Sequence, residues 1–295
     1  MNDYLVRGMS MDGFVKVVAI RSTNLVRRGA EIQKTTPNAT AALGRVLTAA
    51  SMMGNMQKVE NGSMTLQIRG GGPIGTITVV SDPTGNVRGC VTEPKVPLVE
   101  KFPGKLDVGA TVGTDGTLTV IRDLQMKEPY IGQIPLVSGE IGDDVTAYFA
   151  QSEQTPTACA LGVLVDTDQS VKVAGGYLIQ LLPGAPDEVI DKLEARLGEI
   201  SSITALLDAG KTPEEILDDL LGDFGLEILD KIPTRFHCDC DKRRVEKALI
   251  SVGRRELQEM INDGQTIEVG CQFCNQMYAF TVDELKEMLQ KASRP

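Results

Sequence analysis

The chain has 295 residues, 42% hydrophobic and 24% charged, which is ordinary for soluble globular proteins and enough for about two domains of roughly 100 to 200 residues each. A net charge of −10, no Trp and 4% aromatic residues argue against generic nucleic-acid binding, which calls for a basic stripe and stacking platforms. No apolar run approaches the roughly 18 residues of a membrane span, and the first residues, MNDYLVRGMSMDGFVKVV, lack the blocks of a secretion signal. A cytosolic protein is expected, one whose six cysteines are metal ligands, reactive groups or small core residues and not a disulfide framework.

In chain order, Phe14–Ile20 reads as a strand. Leu25–Gln33 and Ala39–Met56 read as helices, with Pro37 near the start of the second. Met52, Met53 and Met56 stand at helical spacing and are expected in the core, although methionines also suit adaptable binding surfaces. Strands follow at Ser63–Arg69, Gly75–Val80 and Asn86–Val91, the last two joined by a turn at Ser81-Asp82-Pro83-Thr84-Gly85. Gly70-Gly71-Gly72-Pro73-Ile74-Gly75 has the spacing of a dinucleotide-binding loop, but Pro73 removes an amide donor and the next segment alternates like a strand, so it is read as a turn. Thr114-Asp115-Gly116 turns into a strand at Thr117–Arg122. Asp143–Gln151 is a helix on which Val145, Tyr148 and Phe149 share a face, and Ala158–Val165 forms a hairpin with Val171–Leu182.

From Pro186 the period changes. Val189/Ile190, Leu193 and Leu197, then Ile203 and Leu206/Leu207, then Ile216 and Leu220/Leu221 recur three or four apart, as on short amphipathic helices, with Thr212 as a cap before Pro213 and Glu214. This segment carries the acidity: 13 acidic and 3 basic residues lie between Gly184 and Asp230. Helices this short are held by docking. Beyond them, Asp241–Ile250 and Arg254–Ile261 read as helices, Thr266–Val269 as a strand, and Thr281-Val282-Asp283-Glu284 as a capping box opening a last helix. The fold class expected is α+β: a mixed α/β-sheet domain over 1–183, an acidic helical linker over 184–230, and a small zinc-binding domain over 231–295.

The chemistry sits in that last segment. Cys238-Asp239-Cys240 is followed by 30 residues and then Cys271-Gln272-Phe273-Cys274. Two close pairs far apart in sequence can each supply one edge of a tetrahedron of thiolates around one Zn²⁺. A permanently closed structural site is one reading. A redox-sensitive site is the other: four thiolates around Zn²⁺ are electron-rich, Lys242, Arg243 and Arg244 favour thiolate over thiol, and a sulfur oxidised to sulfenic acid can close a disulfide with a near neighbour. A unit of about 60 residues is marginal alone, so losing the metal should unfold it, and the acidic helices, if docked on it, would lose their partner. His237, the one histidine, adjoins the first pair but is not needed as a ligand, and it leaves no material for a Ser-His-Asp or Cys-His catalytic group. Cys90 and Cys159 lie in expected strands without partners at metal spacing.

Taken together, Cys238-x-Cys240, Cys271-x-x-Cys274, Glu128-Pro129-Tyr130, the run Gln151-Ser152-Glu153-Gln154-Thr155-Pro156-Thr157, and Val87-Arg88-Gly89 in a strand make the chain resemble, over its whole length, the heat-shock protein 33 family of redox-regulated holdase chaperones. The resemblance implies a substrate-binding core domain, a helical linker and a zinc switch domain, with one Zn²⁺ per chain in the reduced form. It implies that oxidation joins Cys238 with Cys240 and Cys271 with Cys274, releases zinc, and yields an active homodimer that holds unfolded or partly folded client proteins without ATP. No enzymatic activity, membrane or nucleic-acid partner is implied. Two competing readings are a zinc-ribbon nucleic-acid module, resting on Lys242–Arg244 with Arg254 and Arg255, and a thiol oxidoreductase.

Overall fold

The computed structural model describes residues 2–292; Met1 and residues 293–295, at the outer ends of the expected 1–183 and 231–295 segments, lie outside the described residues. The chain divides into two compact units, the first ending at His237 and the second beginning at Cys238.

The first unit opens with the strands β1 (Tyr4–Ser10) and β2 (Val15–Arg21) and the helices α1 (Thr23–Gln33) and α2 (Pro37–Asn55). Next come β3 (Ser63–Arg69), β4 (Thr76–Ser81), β5 (Val87–Val91), the short β6 (Glu100–Phe102) and β7 (Lys105–Leu106), and α3 (Val108–Val112). The strands β8 (Thr117–Asp123) and β9 (Tyr130–Pro135), the helix α4 (Gly142–Gln151) and the hairpin β10 (Thr157–Val165) and β11 (Val171–Leu181) follow. Three helices, α5 (Asp187–Glu199), α6 (Ile203–Asp208) and α7 (Pro213–Leu221), lead to β12 (Leu226–Pro233).

Two five-stranded antiparallel sheets, in the orders β10-β11-β2-β1-β12 and β5-β4-β3-β8-β9, enclose α2. This helix starts with Thr36 as cap and Pro37 in its first turn, where the ring's fixed φ suits a helix and its missing N–H costs nothing. It is apolar nearly all round because it packs against both sheets. Met52 and Met53 are buried in that core and Met56 packs at its edge, as the helical spacing predicts. The turn between β3 and β4 takes up Gly70 to Gly75, with Gly71 and Gly75 at φ +74° and +69°, values that a side chain disfavours.

The other face of the first sheet is covered by α5, α6 and α7. Leu193, Ile203, Leu206, Leu207, Ile216 and Leu220 pack on Val15, Val17 and Tyr177, so the apolar stripe of the acidic helices is committed to the first unit's own sheet. Thr212 caps α7 through a capping box with Glu215: its Oγ1 accepts from the Glu215 amide at 3.2 Å, and its own amide donates to Oε2 at 2.8 Å. Beyond β12 the chain lies along β5. The Val87 amide donates to the Arg235 carbonyl at 3.1 Å and the His237 amide to the Val87 carbonyl at 2.8 Å.

The two motif halves singled out around Tyr130 and Glu153 meet in this unit. The Arg122 guanidinium lies 5.8 Å from the Tyr130 ring centre and pairs with Glu153 at 3.0 Å, and Glu153 accepts the Tyr148 hydroxyl at 2.6 Å.

The second unit contains α8 (Lys242–Val252), α9 (Arg254–Asn262), the hairpin β13 (Ile267–Gly270) and β14 (Met277–Phe280), and α10 (Val282–Lys291). Thr281 and Glu284 form the expected capping box at the start of α10. Its core is small: Leu249, Leu257, Phe280, Leu285 and Met288 are its buried apolar side chains. No helix among the described residues is long and apolar enough to cross a membrane.

Candidate metal centre

The first cysteine pair lies on an irregular segment that ends where Asp241 caps α8, its carboxylate accepting from the Arg244 amide at 2.7 Å. The second pair lies in the turn of the β13–β14 hairpin. There the Cys271 amide donates to the Gln276 carbonyl at 2.9 Å, the Asn275 amide donates back to the Cys271 carbonyl at 2.8 Å, and Asn275 takes φ +60° to close the loop. The turn projects its two thiols toward those of the first pair.

The four Sγ atoms of Cys238, Cys240, Cys271 and Cys274 lie within 4.8 Å of one another, and all four residues are half-buried. Cys238 Sγ is 3.7 Å from Cys271 Sγ, and Cys240 Sγ is 3.3 Å from Cys274 Sγ. A tetrahedron with metal–sulfur bonds of about 2.3 Å has edges of about 3.8 Å. The cage therefore fits one four-coordinate metal ion, and the all-sulfur donor set is of the kind that suits zinc.

Electrostatics point the same way. Burial pushes the Cys238 thiol far above its ordinary range and raises that of Cys274. At Cys240 burial also opposes ionisation, but hydrogen bonds from the Tyr278 hydroxyl and the other thiols outweigh it and lower the pKa. Burial thus opposes ionisation at Cys238, Cys240 and Cys274, a cost that a divalent cation held by the sulfurs would offset.

Tyr278 adds a strut that spacing alone does not reveal. From β14 its hydroxyl reaches the Cys240 carbonyl at 3.0 Å and the Cys240 Sγ at 3.1 Å, tying the first pair to the hairpin that carries the second. In the sequence Tyr278 is only an aromatic after the second pair; the pairing of Val269 with Tyr278 is what places it. Replacing Tyr278 with Phe keeps the ring and removes the hydroxyl. The second unit is expected to be less stable than with tyrosine, read as a lower urea midpoint for the exchange protection of α10.

The remaining sequence candidates lie elsewhere. His237 is not one of the clustered residues, and Cys90 and Cys159 lie in β5 and β10. Of the five basic residues Lys242, Arg243, Arg244, Arg254 and Arg255, three are engaged with acids: Lys242 with Glu284 at 2.6 Å, Arg244 with Asp239, and Arg255 with Glu256 at 2.9 Å. This leaves less free positive charge for a nucleic acid than the sequence suggests.

Comparison with known proteins agrees over nearly the full length. Residues 3–281 match the family model described as Hsp33 protein. A 33 kDa chaperonin of Lachnoclostridium phytofermentans is 51% identical over 99% of this chain and 100% of its own, and one of Agathobacter rectalis is 52% identical over 98% and 100%. The crystal structure of the 33 kDa chaperonin (heat shock protein 33 homolog) from Thermotoga maritima superposes with a TM-score of 0.87 at 34% identity, covering 99% of both chains. With its α+β architecture, its four clustered C-terminal cysteines and these matches, the chain belongs to the Hsp33 protein family.

Proposed function

We propose that the protein is a redox-regulated, ATP-independent holdase of the cytosol, which keeps unfolding proteins from aggregating under oxidative and heat stress and has no catalytic activity of its own. Residues 1–183 would be the substrate-binding core, 184–230 the linker and 231–295 the switch. The observation that carries the reading is a cage of four sulfurs within 4.8 Å on a unit in which, among the described residues, five apolar side chains form the buried core.

In the reduced state Cys238, Cys240, Cys271 and Cys274 would hold one Zn²⁺, which would supply the counter-charge for four thiolates and cross-link the unit. Attack of one thiolate on peroxide gives a sulfenic acid and hydroxide. Attack of its neighbour on that sulfur closes a disulfide and expels a second hydroxide, so each cysteine pair gives two electrons to one peroxide. The shortest sulfur contacts in the folded cage run between the pairs, from Cys238 to Cys271 and from Cys240 to Cys274. The resemblance to the family implies instead that the cysteines adjacent in sequence pair, Cys238 with Cys240 and Cys271 with Cys274, and those two disulfides are the expected products.

The route from switch to core runs along the chain. Cys238 directly follows His237, whose amide is held on Val87, and β12 lies just before at the edge of the first sheet. Disorder beginning at Cys238 would loosen this strap first and then the helices α5 to α7 behind it, uncovering the apolar face of the first sheet to clients or to a second copy of the chain in an oxidised homodimer.

The test is peroxide treatment with mild heat. Zinc release, free thiols and disulfide positions are followed together with light scattering from a separately denatured client. Four thiols should disappear, the two short-loop disulfides should form, and client aggregation should fall without ATP. Zinc loss with no protection of the client would rule out the holdase reading.

A further inference from the structure

Lys16 is in an uncommon place for a lysine. It stands directly opposite Gln180 of β11 in the first sheet, so the two side chains share the sheet face that looks toward α2. Gln180 lines a cleft of about 340 Å³, near the lower end of the roughly 300 to 1,000 Å³ of small-molecule sites. Met56, Val59 and Leu124 give the cleft an apolar lining, and Lys58 and Arg122 stand on its rim.

The charges there do not balance. Arg122 is neutralised by Glu153 at 3.0 Å, and Arg7, which faces the same region from β1, is neutralised by Asp230. Lys16 and Lys58 make no ion pair among the described residues. Burial holds the Lys16 ammonium below its ordinary range, and the charges that act on it, from Arg7 and Lys58, are both positive. A partly desolvated cation beside a second one, in a chain of net charge −10, is a costly arrangement unless an anion joins it. Lys58 lines the cleft together with Met56, Val59 and Leu124, and Lys16 is the register partner of Gln180 in that lining, so an anion held there would carry an apolar body.

We propose that this cleft binds a carboxylate borne on a small apolar body, with the carboxylate at Lys58, toward the Gln180 side that Lys16 adjoins, and the apolar part against Met56, Val59 and Leu124. The site belongs to the first unit alone. It requires neither metal nor oxidation, so it stands or falls separately from the switch.

Two pairs of probes test it on the full-length reduced protein: octanoate against octanamide, and an acetylated pentapeptide ending in leucine with a free carboxylate against its C-terminal amide. Binding is read from the methyl resonances of Met53 and Met56. Each carboxylate is expected to bind roughly tenfold more tightly than its neutral twin, a gap set by one partly screened charge pair. Lys16→Met and the rim variant Lys58→Gln are each expected to narrow that gap. Lys58 is exposed, so the second variant cannot fail by misfolding. Preference for the peptide acid over octanoate would identify chain termini as the source, and the reverse a free small acid. Equal binding of charged and neutral twins, or no response of either methionine at millimolar probe, overturns the proposal.

Discussion

Withdrawing the metal and oxidising the four cysteines is expected to unfold residues 238–292 while α2, at the centre of the first unit, stays folded. The helices α8, α9 and α10 have 11, 9 and 10 residues, shorter than the roughly 12 to 15 at which isolated helices become even marginally stable. The β13–β14 hairpin is a lone two-stranded sheet, also marginal in water. What remains is the cluster of Leu249, Leu257, Phe280, Leu285 and Met288, and cores of this size rarely supply more than about 3 to 5 kcal/mol. A structural zinc contributes roughly 10 to 16 kcal/mol of apparent folding free energy in small zinc peptides, so its loss exceeds anything the core can offset. Hydrogen exchange read by mass spectrometry checks this. Amides of α10 and β14 should go from protected in the reduced, metal-loaded protein to full exchange within seconds after chelation and peroxide, while α2 keeps its protection. Persistent protection across 245–292 would remove the trigger on which the proposed function rests.

The second large effect is expected at Asp144. Its carboxylate is fully buried at the start of α4 and accepts four backbone amides: Val137 at 2.7 Å, Ser138 at 3.1 Å, Gly139 at 3.4 Å and Ile141 at 2.9 Å. It folds the loop between β9 and α4 around one side chain and holds Ile141 at φ +71°, a conformation that costs a β-branched residue about 1 to 3 kcal/mol. In Asp144→Ala these donors lose their acceptor in a buried place, each at about 1 to 3 kcal/mol before relaxation, and nothing then holds Ile141. A net loss of about 4 kcal/mol from the first unit is expected. Asp144→Asn should cost less, because it keeps one acceptor oxygen. Global-exchange free energies of the α2 amides measure both; a loss under about 1 kcal/mol for the alanine variant would mean that the loop is organised by something else.

Features encoded within a few neighbouring residues were legible. The capping boxes at Thr212 and Thr281, the helix begun by Pro37, the strand Ser63–Arg69 and the turn at Gly70–Gly75 all depend on local φ/ψ preferences or on hydrogen bonds spanning three or four residues. Strands β1 and β12 were not anticipated, because the pairing between them joins distant parts of the chain. β1 is paired by β12 more than 200 residues later, and β12 carries the acidic, largely exposed pattern of an edge strand within a segment whose other elements are helices. Asp144 likewise looks like an ordinary first-turn acid until the loop wraps around it.

By itself the sequence determined the chemistry: two closely spaced cysteine pairs, a chain whose acidity is concentrated between Gly184 and Asp230, and a last segment of a size that is marginal alone. The tertiary structure alone decided which face the acidic helices cover, that Tyr278 reaches Cys240, and that Lys58 lines a cleft whose Gln180 is paired in register with Lys16. The division has one physical origin. Ligand type and helix starts are set by interactions within a turn or two of chain, whereas the company a side chain keeps is set by strand pairing and packing between residues that no local pattern connects.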